Sequence, residues 1–330
     1  MVTIQQALYE ASQQLVTRTQ SLDGGVVCRR YPDLLCHPEH SEGSPAIETV
    51  PQMEIPRYAR DDSGCPLALI DDPFLDAEIL LSFILNKPRT YLRAWSEQIL
   101  TPEAEAEFNA LIARRLQGEP IAYITGKKEF WSLDLLVTPA TLIPRPETEC
   151  LIEMALSLFK GQEKIKAADL GTGSGAVALA LASEHPAWQI SATDISEAAL
   201  AVAKKNAERL QIHNVSFYQG SWCEALPSAD FDLMISNPPY IAQEEWGLYA
   251  DGLLFEPRNA LVSGLDGFDS IREIIQAAKG YLKSNGYLMI EHGFWQGPVT
   301  RELFEQARYT EINSVCDLSG QERFTLGKCR

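Results

Sequence analysis

Long apolar runs are missing from this sequence. No stretch approaches the roughly 20 uninterrupted apolar residues that a membrane span needs, and the N-terminal MVTIQQALYEASQQ has the pattern of an amphipathic helix rather than a signal peptide. Blocks of Lys or Arg are missing as well. With 28 basic against 45 acidic residues the net charge is -17, which disfavours nonspecific attachment to long nucleic acid, because that attachment draws its free energy from cations neutralising phosphates. The third absence is regular cysteine spacing. Cys28, Cys36, Cys65, Cys150, Cys223, Cys316 and Cys329 are odd in number and irregularly placed, which argues against a secreted disulfide framework. Reduced thiols and a cytoplasmic location are expected.

What remains is ordinary globular material: 330 residues, 45% hydrophobic and 22% charged, enough for one full core and long enough for two domains. The pattern changes near residue 120. Before it, DAEILLSFIL (76–85) and PEAEAEFNALIARRL (102–116) carry apolar residues at helical spacing, and Thr101 with Pro102 supplies an N-cap and a proline at the first helical position. A small helical bundle is expected there. FWSLDLLV (130–137) is rich in β-formers and is followed by Pro139, Pro144 and Pro146, the composition of a hairpin linker.

From Lys164 onward, strand-like runs alternate with helical ones: IKAADL, WQISATDI, VSFYQG, FDLMISN, a helix over Ser270 to Leu282, and GYLMIEHG. This alternation predicts a mostly parallel sheet with helices on both faces. INSVCDLSGQERFTLGKC then adds two runs and a turn, an antiparallel pair at the sheet edge. The stretch from about Gly24 to Asp71 has scattered prolines and no sustained period, so an irregular insertion is expected. Its Cys28, Cys36, His37, His40 and Cys65 invite comparison with zinc ligands, but they lack the close pairs such a site uses, and no metal is expected.

Asp169 to Gly175 (DLGTGSG) lies between a strand and a helix. Gly171, Gly173 and Gly175 remove the Cβ atoms that would hold a ligand off the backbone, and N–H groups at the helix start face that ligand. Read with Ala176 the run also fits G-x-G-x-x-A, so it serves a dinucleotide as well as S-adenosylmethionine. Asp194 ends the next strand at about the 20-residue spacing where an acid accepts bonds from ribose hydroxyls. Its structural alternative is to cap the following helix, a task Ser196 can also perform.

Asn237-Pro238-Pro239-Tyr240 follows FDLMIS, and in open parallel sheets ligands sit beyond the carboxyl ends of the strands. Two prolines fix φ and donate no hydrogen bond. The Asn237 side-chain carbonyl and the Pro238 backbone carbonyl are then placed to accept both hydrogens of a planar NH2 group, directing its lone pair at a methyl donor. Bonds that strengthen as charge develops on that nitrogen lower the barrier, and Tyr240 offers a flat face for an amide or base.

GEPIAYITGKKEFWSLDLLVTPATLIPRPETE, DLGTGSGAVALALASEHP, ISNPPYI, FEPRNALVSGLDG and IEHG together resemble the HemK/PrmC family of protein-(glutamine-N5) methyltransferases acting on peptide chain release factors. The resemblance covers residues 72–330 nearly throughout and residues 1–23 more weakly. It implies an α/β fold: a Rossmann-like seven-stranded methyltransferase domain (148–330) joined by a hairpin linker (119–147) to an N-terminal helical domain for substrate docking (1–118). It implies further that Gly171, Thr172, Gly173, Ser174, Gly175 and Asp194, with Asn237, bind S-adenosyl-L-methionine, and that Trp222 lies by the adenine. Asn237, Pro238, Pro239 and Tyr240 would hold the glutamine of the release factor's Gly-Gly-Gln motif, with Asn237, Pro238 and Tyr240 serving the chemistry. Trp222 also suits a core position. Arg145 and Glu147 match a family motif near the site, or form a structural ion pair. The insertion at about 24–71 departs from the family pattern, resembles peptide encoded by a short repeated DNA element, and is expected to be dispensable.

Two other readings stay open on the residues. N-P-P-Y also serves adenine-N6 or guanine-N2 nucleic-acid methyltransferases, although such enzymes usually add a target-recognition domain and basic groove residues. A non-catalytic module binding the cofactor and a translation factor would carry a damaged glycine loop or N-P-P-Y, and both runs are intact.

Overall fold

The N-terminal periodicity forms α1 (Ile4–Asp23), and α2 (Pro73–Leu85), α3 (Arg89–Ala94), α4 (Pro102–Leu116) and α5 (Ile121–Thr125) complete a bundle in this computed structural model, which describes residues 2–23, 72–246 and 253–330. Asp72 Oδ1 accepts from the N–H groups of Phe74 and Leu75 at 3.1 and 2.9 Å, and Thr101 Oγ1 accepts from Ala104 at 3.2 Å, as expected for Thr101; each cap is followed by a proline at the first turn. Ile4, Leu8 and Leu15 of α1 share one core with Leu80 and Leu81 of α2 and Phe108 and Ile112 of α4. The two helices flanking the 24–71 stretch therefore bury their apolar faces together. That stretch, with its cysteines and histidines, lies outside the described residues. Among the described residues no helix is long and apolar enough to cross a membrane.

Buried charge in the bundle is paired. Glu78, 1% exposed, accepts from Arg89 at 2.6 Å and Arg93 at 3.2 Å, and Arg115 meets Asp76 at 2.7 Å.

The linker hairpin pairs β1 (Lys127–Phe130) with β2 (Leu133–Leu136). Its turn residues Trp131 and Ser132 have φ of 52° and 59°, the left-handed pair that a two-residue type I′ turn demands. Neither is the glycine or asparagine that adopts this conformation readily. Tertiary anchors offset the cost: the Trp131 N–H donates to Glu149 and its indole N–H to Glu184, both at 2.8 Å.

Beyond α6 (Glu149–Leu158), strands and helices alternate as the sequence predicts: β3 (Lys166–Leu170), α7 (Ala176–Glu184), β4 (Gln189–Asp194), α8 (Glu197–Leu210), β5 (Val215–Gln219), β6 (Phe231–Ser236), α9 (Asp269–Ala278), β7 (Leu282–Glu291), α10 (Gly297–Gln306), β8 (Thr310–Cys316) and β9 (Glu322–Lys328). The seven-stranded sheet runs β5-β4-β3-β6-β7-β9-β8, parallel through β7, with β9 antiparallel to both its neighbours. Side chains alternate across it. Ala167, Leu233 and Met289 face α6 and α7, while Ala168, Met234 and Ile290 face α9 and α10, so both faces are covered, as a parallel sheet requires.

One boundary differs from expectation. The helix predicted over Ser270 to Leu282 stops at Ala278, and Leu282 already belongs to β7, in register with Phe231. Leu282 faces the same core as Ile271, Ile274 and Ile275, so the apolar pattern continues through it although the backbone has turned at Lys279 and Gly280.

Candidate functional site

The chain starts the sheet in the middle. From β3 it winds outward to β4 and β5, then returns past β3 to lay down β6 and β7 on the other side. The crevice outside the carboxyl ends of β3 and β6 is therefore the topological switch point, where open α/β sheets bind ligands. Leu170, last residue of β3, is in register with Ser236, last residue of β6, and the Ser236 hydroxyl donates to the Leu170 carbonyl at 2.7 Å. The glycine loop and N-P-P-Y thus leave the sheet side by side.

Gly171, Gly173 and Gly175 have φ of 76°, 56° and 86°, values that favour glycine. At Gly171 a Cβ would lie 2.9 Å from the Trp222 ring, whereas at Gly173 it would meet nothing within 4 Å; the loop is closed against Trp222 on one side and open on another. The N–H groups of Gly171 and Thr172 donate to the Thr193 carbonyl at 2.9 Å, fixing the loop to the end of β4. Beneath it, Asp169 is buried and accepts from the Thr172 hydroxyl at 2.6 Å and the Ala178 N–H at 3.1 Å. Burial pushes its carboxyl up to about 6, against those two hydrogen bonds. Ser174 is buried, and its carbonyl accepts from Asn206 at 2.9 Å.

Asp194 does not cap α8. Ser196 does, its hydroxyl accepting from Ala199 at 3.2 Å. Asp194 instead accepts the Gly173 N–H on Oδ2 and the Ser196 N–H on Oδ1, both at 2.8 Å, and burial raises its carboxyl against those bonds. Each oxygen keeps a further lone pair. A half-buried carboxylate with spare acceptor capacity, beside a glycine open to space, fits a ligand that brings adjacent hydroxyls, as a ribose does. Trp222 stands in the turn after β5 with φ of 40° and lies over Gly171, so its half-buried ring is part of the loop's wall as well as of the core it packs on.

At the end of β6, Asn237 Nδ2 donates to the Thr148 hydroxyl at 3.1 Å, and that hydroxyl donates to Glu291 Oε2 at 2.8 Å. Among the described residues no donor reaches Asn237 Oδ1 or the Pro238 carbonyl. The loop is held from behind. Tyr240 and Ile241 donate to the Leu261 carbonyl at 3.2 and 2.9 Å, and buried Gln296 donates to the Tyr240 carbonyl at 3.1 Å while accepting from Gly293 at 2.8 Å. Gly267 passes so close that a Cβ there would sit 2.4 Å from the Tyr240 carbonyl oxygen. Burial, with the Glu291 charge, pushes the Tyr240 phenol well above its ordinary range, so it stays a neutral surface.

Arg145 and Glu147 do not pair with each other. Arg145 reaches Glu256 at 2.5 Å, and Glu256 also accepts the Ile143 N–H at 2.9 Å. FEPRNAL is thereby clamped to the linker. Sequence reasoning missed Thr148, Gln296, Glu256 and Glu291. Three of them lie in runs already singled out, IPRPETE, FEPRNALVSGLDG and IEHG, but nothing in any of these runs reveals its partner. Among the described residues Cys150, Cys223, Cys316 and Cys329 are free thiols, and no group of three His, Cys, Asp or Glu is placed to hold a metal ion.

A doubly wound sheet with a reversed β9, a glycine loop at its switch point and N-P-P-Y just after the adjoining strand define an α/β methyltransferase. The chain matches the PrmC N-terminal domain over residues 67–126 and the methyltransferase small domain over residues 149–264. It is 48% identical over 256 residues to the release factor glutamine methyltransferase of Coxiella burnetii, covering 78% of this chain and 92% of that one. With that of Aliivibrio fischeri it shares 47% over 260 residues (78% and 91%), and with that of Escherichia coli 44% over 276 residues (84% and 99%). The chain belongs to the release factor glutamine methyltransferase family.

Proposed function

We propose that this enzyme transfers a methyl group from S-adenosyl-L-methionine to the N5 amide nitrogen of the glutamine in the Gly-Gly-Gln motif of peptide chain release factors. The observation that carries the reading is the pairing of Leu170 with Ser236, which sets a loop suited to the cofactor beside two acceptors suited to an NH2 group. When bound, the cofactor supplies an electrophilic methyl group. Asp194 receives the ribose hydroxyls; Gly171, Thr172, Gly173, Ser174 and Gly175 form the cradle, and Trp222 flanks the adenine. Asn237 Oδ1 and the Pro238 carbonyl accept the two amide hydrogens, Pro239 keeps the turn free of competing donors, and Tyr240 lies against the amide plane.

An amide nitrogen is a poor nucleophile because its lone pair is delocalised into the carbonyl. Acceptors on both hydrogens hold the NH2 in place and stabilise the positive charge that develops on it, an interaction stronger in the transition state than before it. Residues 1–118 serve as the docking domain, and 119–147 fasten it to the methyltransferase domain, 148–330. The curated relatives favour a release factor over an adenine-N6 or guanine-N2 target, and the net charge of -17 fits a protein substrate better than a polyanion. Mass spectrometry of a release factor incubated with enzyme and isotope-labelled cofactor tests the proposal. Label on the Gly-Gly-Gln glutamine is expected, and its absence there would overturn the reading.

A further inference from the structure

We propose that Thr148 is a positioning residue for methyl transfer, oriented by Glu291, and that the Glu291–Thr148 relay fixes which end of the Asn237 amide faces the substrate. The inference rests on the functional reading above, in which Asn237 Oδ1 is an acceptor. An asparagine amide has an acceptor end and a donor end of nearly the same shape. Something must select the acceptor.

The selection follows from counting hydrogens. A hydroxyl carries one hydrogen and two lone pairs, and an ionised carboxylate can only accept. Thr148 Oγ1 lies 2.8 Å from Glu291 Oε2 and 3.1 Å from the Asn237 side chain. With its hydrogen directed to Glu291, Thr148 can only accept from Asn237, so Nδ2 must point inward and Oδ1 outward. Thr148 and Glu291 are 4% and 3% exposed, leaving little room for water to substitute. The carboxylate also polarises the chain of bonds it terminates, which strengthens Oδ1 as an acceptor.

The relay joins three elements: the single 3-10 turn Pro146–Thr148, the end of β6 and the end of β7. Its state depends on the charge of Glu291. Arg323 faces that carboxyl from β9, Arg145 and Glu147 from the linker, Cys150 from α6 and Tyr240 from the loop after β6. Burial pushes Glu291 up to about 7, against the Thr148 hydrogen bond and Arg323. Once protonated, Glu291 donates to Thr148, whose own hydrogen is then free to point at Asn237. The amide can rotate and present Nδ2 to the substrate NH2, donor against donor.

The test is steady-state methylation of a release factor by full-length variants, with calorimetric titration of S-adenosylmethionine. Thr148→Val keeps the shape and removes the hydroxyl; kcat should fall about 10- to 100-fold, the scale of one misdirected hydrogen bond, with cofactor affinity and KM within about threefold. Thr148→Ser should restore kcat to within about threefold of wild type. On an Asn237→Ala background, Thr148→Val should add little, since coupled residues are not additive. Wild-type kcat should decline as pH drops through neutrality, and Glu291→Gln, whose carbonyl can still accept from Thr148 but cannot titrate, should lose that acid limb. An active wild type whose Thr148→Val variant keeps its kcat, or whose acid limb survives in Glu291→Gln, overturns the relay alone. The pH comparison stands even if the valine variant does not fold. A wild-type enzyme with no activity on release factor overturns the functional reading, and the relay with it.

Discussion

Replacing Asp194 by Ala separates a ligand-binding carboxylate from a loop-fixing one. In the protein its two oxygens take the N–H groups of Gly173 and Ser196, each at 2.8 Å, and on the functional reading their remaining lone pairs take the ribose. Loss of one charge-assisted hydrogen bond to the ligand weakens S-adenosylmethionine binding by about 1.5 to 3 kcal/mol, roughly 10- to 150-fold in Kd. Stability should change less, by about 1 kcal/mol, because Ser196 still caps α8 through Ala199 and the loop remains bonded to Thr193 through Gly171 and Thr172. Asp194→Asn should fall between the two: its single side-chain carbonyl replaces one acceptor, while its NH2 opposes the other backbone N–H. Calorimetry gives the affinities and urea denaturation the stabilities. Wild-type affinity in Asp194→Ala, with only stability reduced, would refute the ribose role and leave Asp194 as a brace between Gly173 and Ser196.

Asn237→Ala should keep most cofactor affinity while losing at least about 100-fold in kcat; comparable turnover in the two proteins would remove Asn237 from the mechanism. Gly267→Ala places a Cβ 2.4 Å from the Tyr240 carbonyl at a φ of 80°, so release-factor turnover should drop by more than tenfold, roughly the scale of a 1 Å displacement, with cofactor binding nearly intact; equal losses in both would point to general unfolding. Arg93 and Arg89 hold the Glu78 carboxyl below its ordinary 4.5 despite burial. Glu78→Gln should therefore cost stability above that pH, with the deficit shrinking as acid protonates wild-type Glu78 through its lower folded value, a trend read from urea melts across pH. Deleting residues 24–71 in favour of a short glycine-serine bridge should leave turnover within about threefold, because α1 and α2 share one core and closure entropy varies only with the logarithm of loop length; loss of methylation in a folded, cofactor-binding deletion would make the segment part of the docking surface.

Local features were the legible ones. Caps at Thr101 and Ser196, the DLGTGSG turn and the alternation of runs after Lys164 each rest on neighbours within one turn or one strand, so composition and spacing suffice to find them. The end of α9 was not legible, because Leu282 continues the helix's apolar pattern into the same core after the backbone has become β7. Nor was the partner of Arg145. IPRPETE offers Glu147 two residues away, but the guanidinium is taken by Glu256, 111 residues further on, and a tertiary ion pair leaves no trace in local spacing. Thr148 and Glu291 show the same limit from the other side. Both stood inside recognisable runs, yet their meaning lies in a contact spanning 143 residues.

The switch point explains why local motifs still pointed to a single place. Each helix between two of these strands carries the chain back to the edge where the first strand began, so every strand in the parallel part of this sheet ends on the same side as β3. Any motif placed directly after such a strand therefore faces one common edge, whatever the order of strands within the sheet. What strand order adds is distance along that edge. Had β6 been laid beside β5, the register between Leu170 and Ser236 would not exist, and DLGTGSG and N-P-P-Y would stand several strand spacings of about 4.8 Å apart. The sequence supplied both motifs and the edge they share. Their adjacency, on which the transfer of a small group between two bound molecules depends, comes from the reversal of winding at β3.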